Sequence, residues 1–269
     1  MAVLVIVIMG LWVEGVWAAD LTDTRPQQAA ERNWQIGFTP SYSYGKFGTD
    51  TTSEFIYAPF SIRRFFSKGD ITLVIPSVTV ITDRRTTIVG NTAFQTETET
   101  AGEKVTATGL GDVILRGRYY LVEEQDYVPL IAVTARFKFP TANASQGLGT
   151  GEFDHRYGVE VSKFIGASWL IFLDGGYTFI GDPDRADGSG TLGLRNQYWY
   201  DVGIGYYVTK DLLPSVFFEE YQSLVPGLPN ARDVLFSSSY RMSPAWRFNV
   251  GVTIGLSDGA PDHAVSIGT

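Results

Sequence analysis

Trp246-Arg247-Phe248-Asn249-Val250-Gly251-Val252-Thr253-Ile254-Gly255-Leu256 decides the fold. Every even position is large and apolar, and every odd position is polar or glycine. A strand sends successive side chains to opposite faces, so this segment has one apolar face and one that tolerates water. In a soluble sandwich the apolar face turns to a protein core. In an outer-membrane barrel it turns to lipid, and the small polar face lines the lumen.

The same alternation recurs from Asn33 to the C-terminus and predicts twelve strands, over 33–45, 53–66, 70–82, 109–121, 128–140, 153–165, 168–180, 196–208, 212–222, 232–242, 246–257 and 262–269. Their connections separate the two architectures. Ser67-Lys68-Gly69, residues 122–127, Gly166-Ala167, Thr209-Lys210-Asp211 and Ser243-Pro244-Ala245 are short. The connections between them, 83–108, 141–152, 181–195 and 223–231, are longer and polar. Short turns on one side and long loops on the other are the outer-membrane pattern, and a soluble barrel has no reason to keep it. The predicted fold is therefore all-β, a transmembrane antiparallel up-and-down β-barrel of about 12 strands. With that number, both termini fall on the short-turn side.

The N-terminus agrees. Residues 2–13 are almost wholly apolar, and Val16-Trp17-Ala18-Ala19-Asp20 follows. A short apolar core followed by small residues predicts a secretory signal peptide over 1–19, cut after Ala18 or Ala19, with a membrane anchor as the alternative. Residues 20–32 then form a periplasmic segment and 33–269 the barrel. No Lys or Arg precedes the apolar core. Either the true start lies slightly upstream or the basic region is weak.

Composition narrows the function classes. The 269 residues contain no cysteine, which removes disulfides, thiolate catalysis and cysteine-held metals. A net charge of −8 argues against nucleic-acid binding, which needs a basic footprint. Gly 29, Tyr 14, Phe 17 and Trp 6 suit a barrel with glycine inside and aromatic girdles at its rims.

Parity sorts the charges. Asp112, Ile114, Arg116, Arg118 and Tyr120 share one face of the fourth strand, opposite Val113, Leu115, Tyr119 and Leu121. Arg136 and Lys138 fall on the inner face of the fifth strand, and Asp154, Arg156, Gly158 and Glu160 on that of the sixth. Asp174 and Asp201 take the same face on the seventh and eighth. A charged Arg or Lys at the lipid midplane costs about 2–4 kcal/mol, so an inward set is what a lipid-facing exterior demands.

Three segments resemble a known family. They are Gly109-Leu110-Gly111-Asp112, then Lys138-Phe139-Pro140-Thr141 leading to Gly149-Thr150-Gly151, and Gly176-Tyr177-Thr178. In this order they resemble the phenol-degradation meta-pathway outer-membrane transporter family over residues 30–269. The resemblance implies a twelve-stranded channel for small, often aromatic or poorly permeating molecules, and certifies no site residue. The chain ends Ser266-Ile267-Gly268-Thr269, where such barrels close on an aromatic. A few further residues are expected to follow.

Catalysis and metal binding compete weakly. His155 and His263 are the only histidines, and no motif sets a serine and an acid around either. Asp182, Asp184 and Asp187 put three carboxylates in one loop that could hold calcium, although Asp-rich loops are commonly turns. No enzyme activity, cofactor or resident metal is expected.

The lumen charges Asp112, Arg116, Arg118, Arg136, Lys138, Arg156, Glu160, Asp174 and Asp201 are the candidate constriction. Ladders of Arg and acid also satisfy a barrel interior with no ligand at all. Arg136, Lys138 and Arg156 are expected near the loop end, partly countered by Asp112 and favouring anions. The 26-residue third loop, 83–108, either folds inward as a plug or hangs outward.

The expected function is passive uptake of small, aromatic or hydrophobic molecules across the outer membrane of a Gram-negative bacterial cell. The alternative is a structural or interaction barrel with a filled lumen and working loops. Inward Gly158, Gly176, Gly203, Gly205, Gly251 and Gly255 leave space, whereas Trp199, Phe172 and Tyr120 fill it. Expected partners are outer-membrane lipid and lipopolysaccharide, the barrel-assembly machinery and a small-molecule solute. Nucleic acid is not among them, and a monomer is expected.

Overall fold

The backbone N–H and C=O groups of a strand in lipid need a hydrogen-bonded neighbour on each edge, and closure into a ring removes the free edges. The computed structural model describes residues 7–8, 33–47, 49, 51–83, 86–89, 92–95, 104–184 and 190–269. Within them, twelve antiparallel strands form a closed barrel. They are β1 (Trp34–Phe38 and Ser41–Gly45), β2 (Ser53–Phe66), β3 (Gly69–Asp83) and β4 (Lys104–Leu110 and Val113–Val122). Next come β5 (Leu130–Phe139), β6 (Asp154–Ile165), β7 (Trp169–Phe179) and β8 (Gln197–Tyr206). The last four are β9 (Leu212–Tyr221), β10 (Ala231–Arg241), β11 (Arg247–Gly255) and β12 (His263–Gly268).

Each strand pairs with its sequence neighbour, and β12 closes on β1 with Ser266 opposite Ser41. The seam continues as Phe38 and Thr269 exchange backbone hydrogen bonds of 3.0 and 3.1 Å. The expected leader and N-terminal segment lie outside the described residues except Val7–Ile8. Those two pair with Thr86–Val89, which forms a hairpin with Thr92–Gln95 in the third loop.

Two strands are broken where proline or glycine interrupts the ladder. In β4 the register against β3 slips between Leu110, opposite Ser77, and Ile114, opposite Val74. Pro76 has no N–H to donate, but its carbonyl accepts from Gly111 N at 2.9 Å. The slip is a bulge that turns Asp112 into the barrel. β4 also begins at Lys104, earlier than its alternation suggests, because Val105 to Thr108 pair with Thr82 to Thr79.

The decisive β11 segment behaves as its pattern requires. Val250, Val252 and Ile254 are exposed on the outside, and Gly251 between them is buried. Removing such a side chain from water is worth about 1.5–3 kcal/mol, so a surface of them is stable only against lipid. Aromatics gather at both rims. Trp169 and Tyr206 (centroids 4.7 Å apart) stand at the short-turn end with Trp246 and Phe248. Phe153, Tyr157 and Phe179 surround His155 at the loop end. The outward charges Glu54, Lys104, Glu220 and Arg232 are paired with one another near the loop end, where headgroups replace hydrocarbon.

Candidate functional site in the barrel lumen

Register turns the inward charges into layers. Nearest the loop end, Lys138 on β5 lies opposite Asp154 on β6. Its Nζ is 2.6 Å from Asp154 Oδ2 and 3.4 Å from Asp112 Oδ2, and donates to Thr150 Oγ1 at 2.9 Å. Both carboxylates also hold loops. Asp112 Oδ1 accepts from Ala142 N at 3.0 Å, and Asp154 Oδ1 accepts from Gly181 N at 2.9 Å. This cluster therefore ties the β5–β6 and β7–β8 loops to the barrel mouth.

The β5–β6 loop dips inward. Ala144–Gln146 form a 3-10 turn capped by Gly147, whose φ of 74° is a left-handed conformation that favours glycine. Residues 147–150 are then buried, with Leu148 at 2% exposure. The third loop was expected either to fold inward as a plug or to hang outward. Its segments 84–85, 90–91 and 96–103 lie outside the described residues, whereas the loop after β5 narrows the mouth.

One layer deeper, Arg116, Arg136 and Arg156 sit side by side in register on β4, β5 and β6. The Arg156 guanidinium carbon lies 3.3 Å from the Trp199 ring centroid and 5.8 Å from that of Tyr221. Below them Arg118 binds Glu160, Nε to Oε2 at 2.7 Å, and lies 3.8 Å from Asp70. Asp70 pairs with Arg63 at 2.8 Å.

The deepest charged layer is acidic. Glu160, Asp174 and Asp201 pair in register across β6, β7 and β8. The row continues through Glu219 and Asp233 on β9 and β10. These last two, with Arg63, Asp70 and the Arg156–Trp199 stack, were missed by sequence reasoning. The signal was present: Val234 and Phe236 face outward, which by parity sends Asp233 inward. Pairing a single inward position across five strands needs the whole ladder.

Below the acids, the short-turn half of β6 to β10 is dry. Leu170, Phe172, Leu213, Phe217 and Leu235 form an apolar cluster inside the barrel. The expected glycine spaces are here taken up. A Cβ on Gly205 would meet Leu213 Cδ1 at 3.0 Å, and one on Gly251 would meet Leu235 Cδ1 at 3.2 Å. The glycines are seats for large neighbours, which lets those side chains lie flat against the wall. The facing strip keeps water access, since Arg116, Thr134, Arg136, Gly158, Asp174 and Gly176 are all half-buried.

The other candidates have local roles. Asp182 accepts from Gly193 N and Leu194 N at 3.0 Å each, closing its own loop, and Asp184 forms a β-bridge with Thr191. Asp187 lies outside the described residues, among which no group of three acidic or histidine side chains could hold a metal. His155 stacks on Phe179 at 4.8 Å in the outer aromatic rim.

A closed twelve-strand ring with an apolar exterior and a layered, charged lumen is the architecture of an outer-membrane β-barrel. The chain belongs to the family described as the putative MetA-pathway of phenol degradation, whose model matches residues 75–269. Its fold is similar to that of the COG4313 outer membrane channel from Pseudomonas putida F1. The TM-score is 0.67 at 12% identity, covering 87% of this chain and 92% of that one. The NanC porin is also similar, with a TM-score of 0.54 and 12% identity over 87% of this chain and 98% of that one. At these identities the likeness is one of fold. No curated protein matches the sequence.

Proposed function

We propose that this barrel is a passive outer-membrane channel for small molecules, with aromatic or otherwise poorly permeating solutes as its cargo. The observation that carries the reading is the half-exposed strip of Arg116, Thr134, Arg136 and Asp174 on the lumen side of mid-strand positions. Water reaches charged groups there although the same strands present hydrocarbon to lipid. The family description, phenol degradation, favours aromatic cargo. In this reading Asp112, Lys138 and Asp154 brace the mouth, while Arg116, Arg118, Arg136, Arg156, Glu160, Asp174 and Asp201 set the field along the passage. No catalytic role is proposed, since His155 lies in the outer aromatic rim. The reading implies lipopolysaccharide around the loop end, the barrel-assembly machinery as its inserter and a working monomer.

The dry cluster of Leu170, Phe172 and Phe217 favours a second reading, a barrel with a filled lumen whose loops do the work. Single-channel recording of the refolded barrel separates the two. Discrete conductance steps in planar bilayers are expected. A barrel that is folded by gel mobility but passes no current would establish the filled reading.

A further inference from the structure

On the outside of β6 to β11, ladder rows read as depth in the membrane. Val161, Leu173, Val202, Phe218, Val234 and Ile254 are successive partners and form one unbroken apolar row. One row nearer the loop end, Tyr200, Glu220 and Arg232 pair in the same way. One row further stand Tyr157, Tyr177 and Tyr198. Tyrosine takes such girdle positions because its ring suits hydrocarbon and its hydroxyl suits headgroups. Arg232 therefore lies at headgroup depth.

The ion pair there is one-sided. Glu220 Oε2 accepts from the Tyr200 hydroxyl at 2.8 Å, and Oε1 accepts from Asn230 Nδ2 at 2.8 Å. Asn230 Nδ2 also donates to the Tyr198 hydroxyl at 2.8 Å, which fixes the amide. Arg232 completes the carboxylate, with Nε 3.1 Å from Oε2 and Nη2 3.3 Å from Oε1. Glu220 is thereby enclosed, its side chain 8% exposed, while that of Arg232 is 51% exposed. The pair is neutral as a whole, yet it turns its cation to the outer leaflet. At the other outward pair the carboxylate shares the surface. Glu54 is 22% exposed and is held by Tyr42 and Lys104.

A side-on contact through Nε and Nη2 leaves the Nη1–Nη2 edge of a guanidinium for a second bidentate partner. We propose that Arg232, oriented by Glu220, Tyr200 and Asn230, binds a phosphate of the lipopolysaccharide headgroup in the outer leaflet. Two phosphate oxygens supply the acceptors that this edge requires, and a phosphorylated glycolipid presents them at this depth. Tyr200 and Asn230 position the guanidinium through Glu220. The proposal rests on the functional reading above only in taking lipopolysaccharide to surround the loop end.

The probe is lipid A carrying its phosphates, compared with the same lipid after enzymatic dephosphorylation. Each is added to the detergent-folded barrel and bound lipid is counted by native mass spectrometry. The phosphorylated lipid is expected to bind at least about tenfold more tightly, as the gain of a charged hydrogen-bonded pair implies. Arg232→Gln is expected to remove that preference. The double variant Arg232→Gln with Glu220→Gln, which leaves no enclosed charge without its partner, is expected to do the same while the barrel keeps its heat-modifiable gel mobility. Equal binding of the two lipids by the wild type would overturn the site. So would an unchanged preference in the folded double variant. Inorganic phosphate binding as tightly as the lipid would make the ligand the free anion and overturn the lipid assignment. Lipid counting needs no ion flow, so a barrel that prefers the phosphorylated lipid without conducting refutes the channel and leaves this site standing. A conducting barrel with no such preference does the reverse.

Discussion

Phe217 on β9 lies across the bare face of Gly203 on β8, so closely that a Cβ on the glycine would overlap its ring. The contact explains how a narrow barrel holds large apolar residues inside without collapsing its wall. It also makes the glycine a packing residue. Gly203→Ala is expected to destabilise the folded barrel by roughly 1–3 kcal/mol, the ordinary cost of overpacking. Combining it with Phe217→Leu should recover part of that loss. Denaturant unfolding in detergent or vesicles checks both, and strictly additive effects would show that the two residues do not share the space.

Val252 and Thr253 are neighbours on β11 with opposite exposures. Val252→Arg is expected to cost about 2–4 kcal/mol at the lipid midplane, and Thr253→Arg, facing the lumen, much less. Equal losses on refolding into vesicles would contradict the assignment of faces.

Lys138 sits between Asp112 and Asp154, and all three are buried. Lys138→Met leaves two buried carboxylates facing each other without their cation, so a loss of roughly 3–5 kcal/mol is expected. Because the same carboxylates anchor Ala142 and Gly181, the variant should also show noisier and larger single-channel currents as the mouth loops loosen. Adding Asp112→Asn to Lys138→Met should restore part of the stability. A Lys138→Met barrel as stable as the wild type would remove the cluster's bracing role.

The arginine and carboxylate rows predict opposite shifts of ion selectivity. Replacing Arg116 and Arg136 together with Gln should move the reversal potential in a salt gradient toward cation preference. Replacing Asp174 and Asp201 with Asn should move it toward anions. Charges at a constriction act on permeating ions, whereas loop charges are screened over about 8–10 Å at ordinary salt. From the sequence, Arg136, Lys138 and Arg156, partly countered by Asp112, were expected to favour anions. The carboxylate row that runs on to Asp233 opposes them, so the wild-type preference should be weaker than the arginines alone imply. Neither pair altering the reversal potential would place both rows outside the conducting path.

The sequence by itself determined the strands, their order around the ring and the face on which each side chain lies. These follow from a period of two and from turn chemistry, which are local properties of the chain. Arg136 and Asp174 could therefore be assigned inward from a few neighbours each, and Val252 outward. Tertiary structure alone decided which inward residues meet. The run of five carboxylates and the row of three arginines depend on cumulative register around the barrel, and a bulge at Asp112 shifts that register by one. The glycine positions show the same division. Gly158, Gly203 and Gly205 were legible as inward and small, and so as open space. Whether that space stays empty depends on which large residue the next strand brings opposite, and the packing places Trp199, Phe217 and Leu213 there.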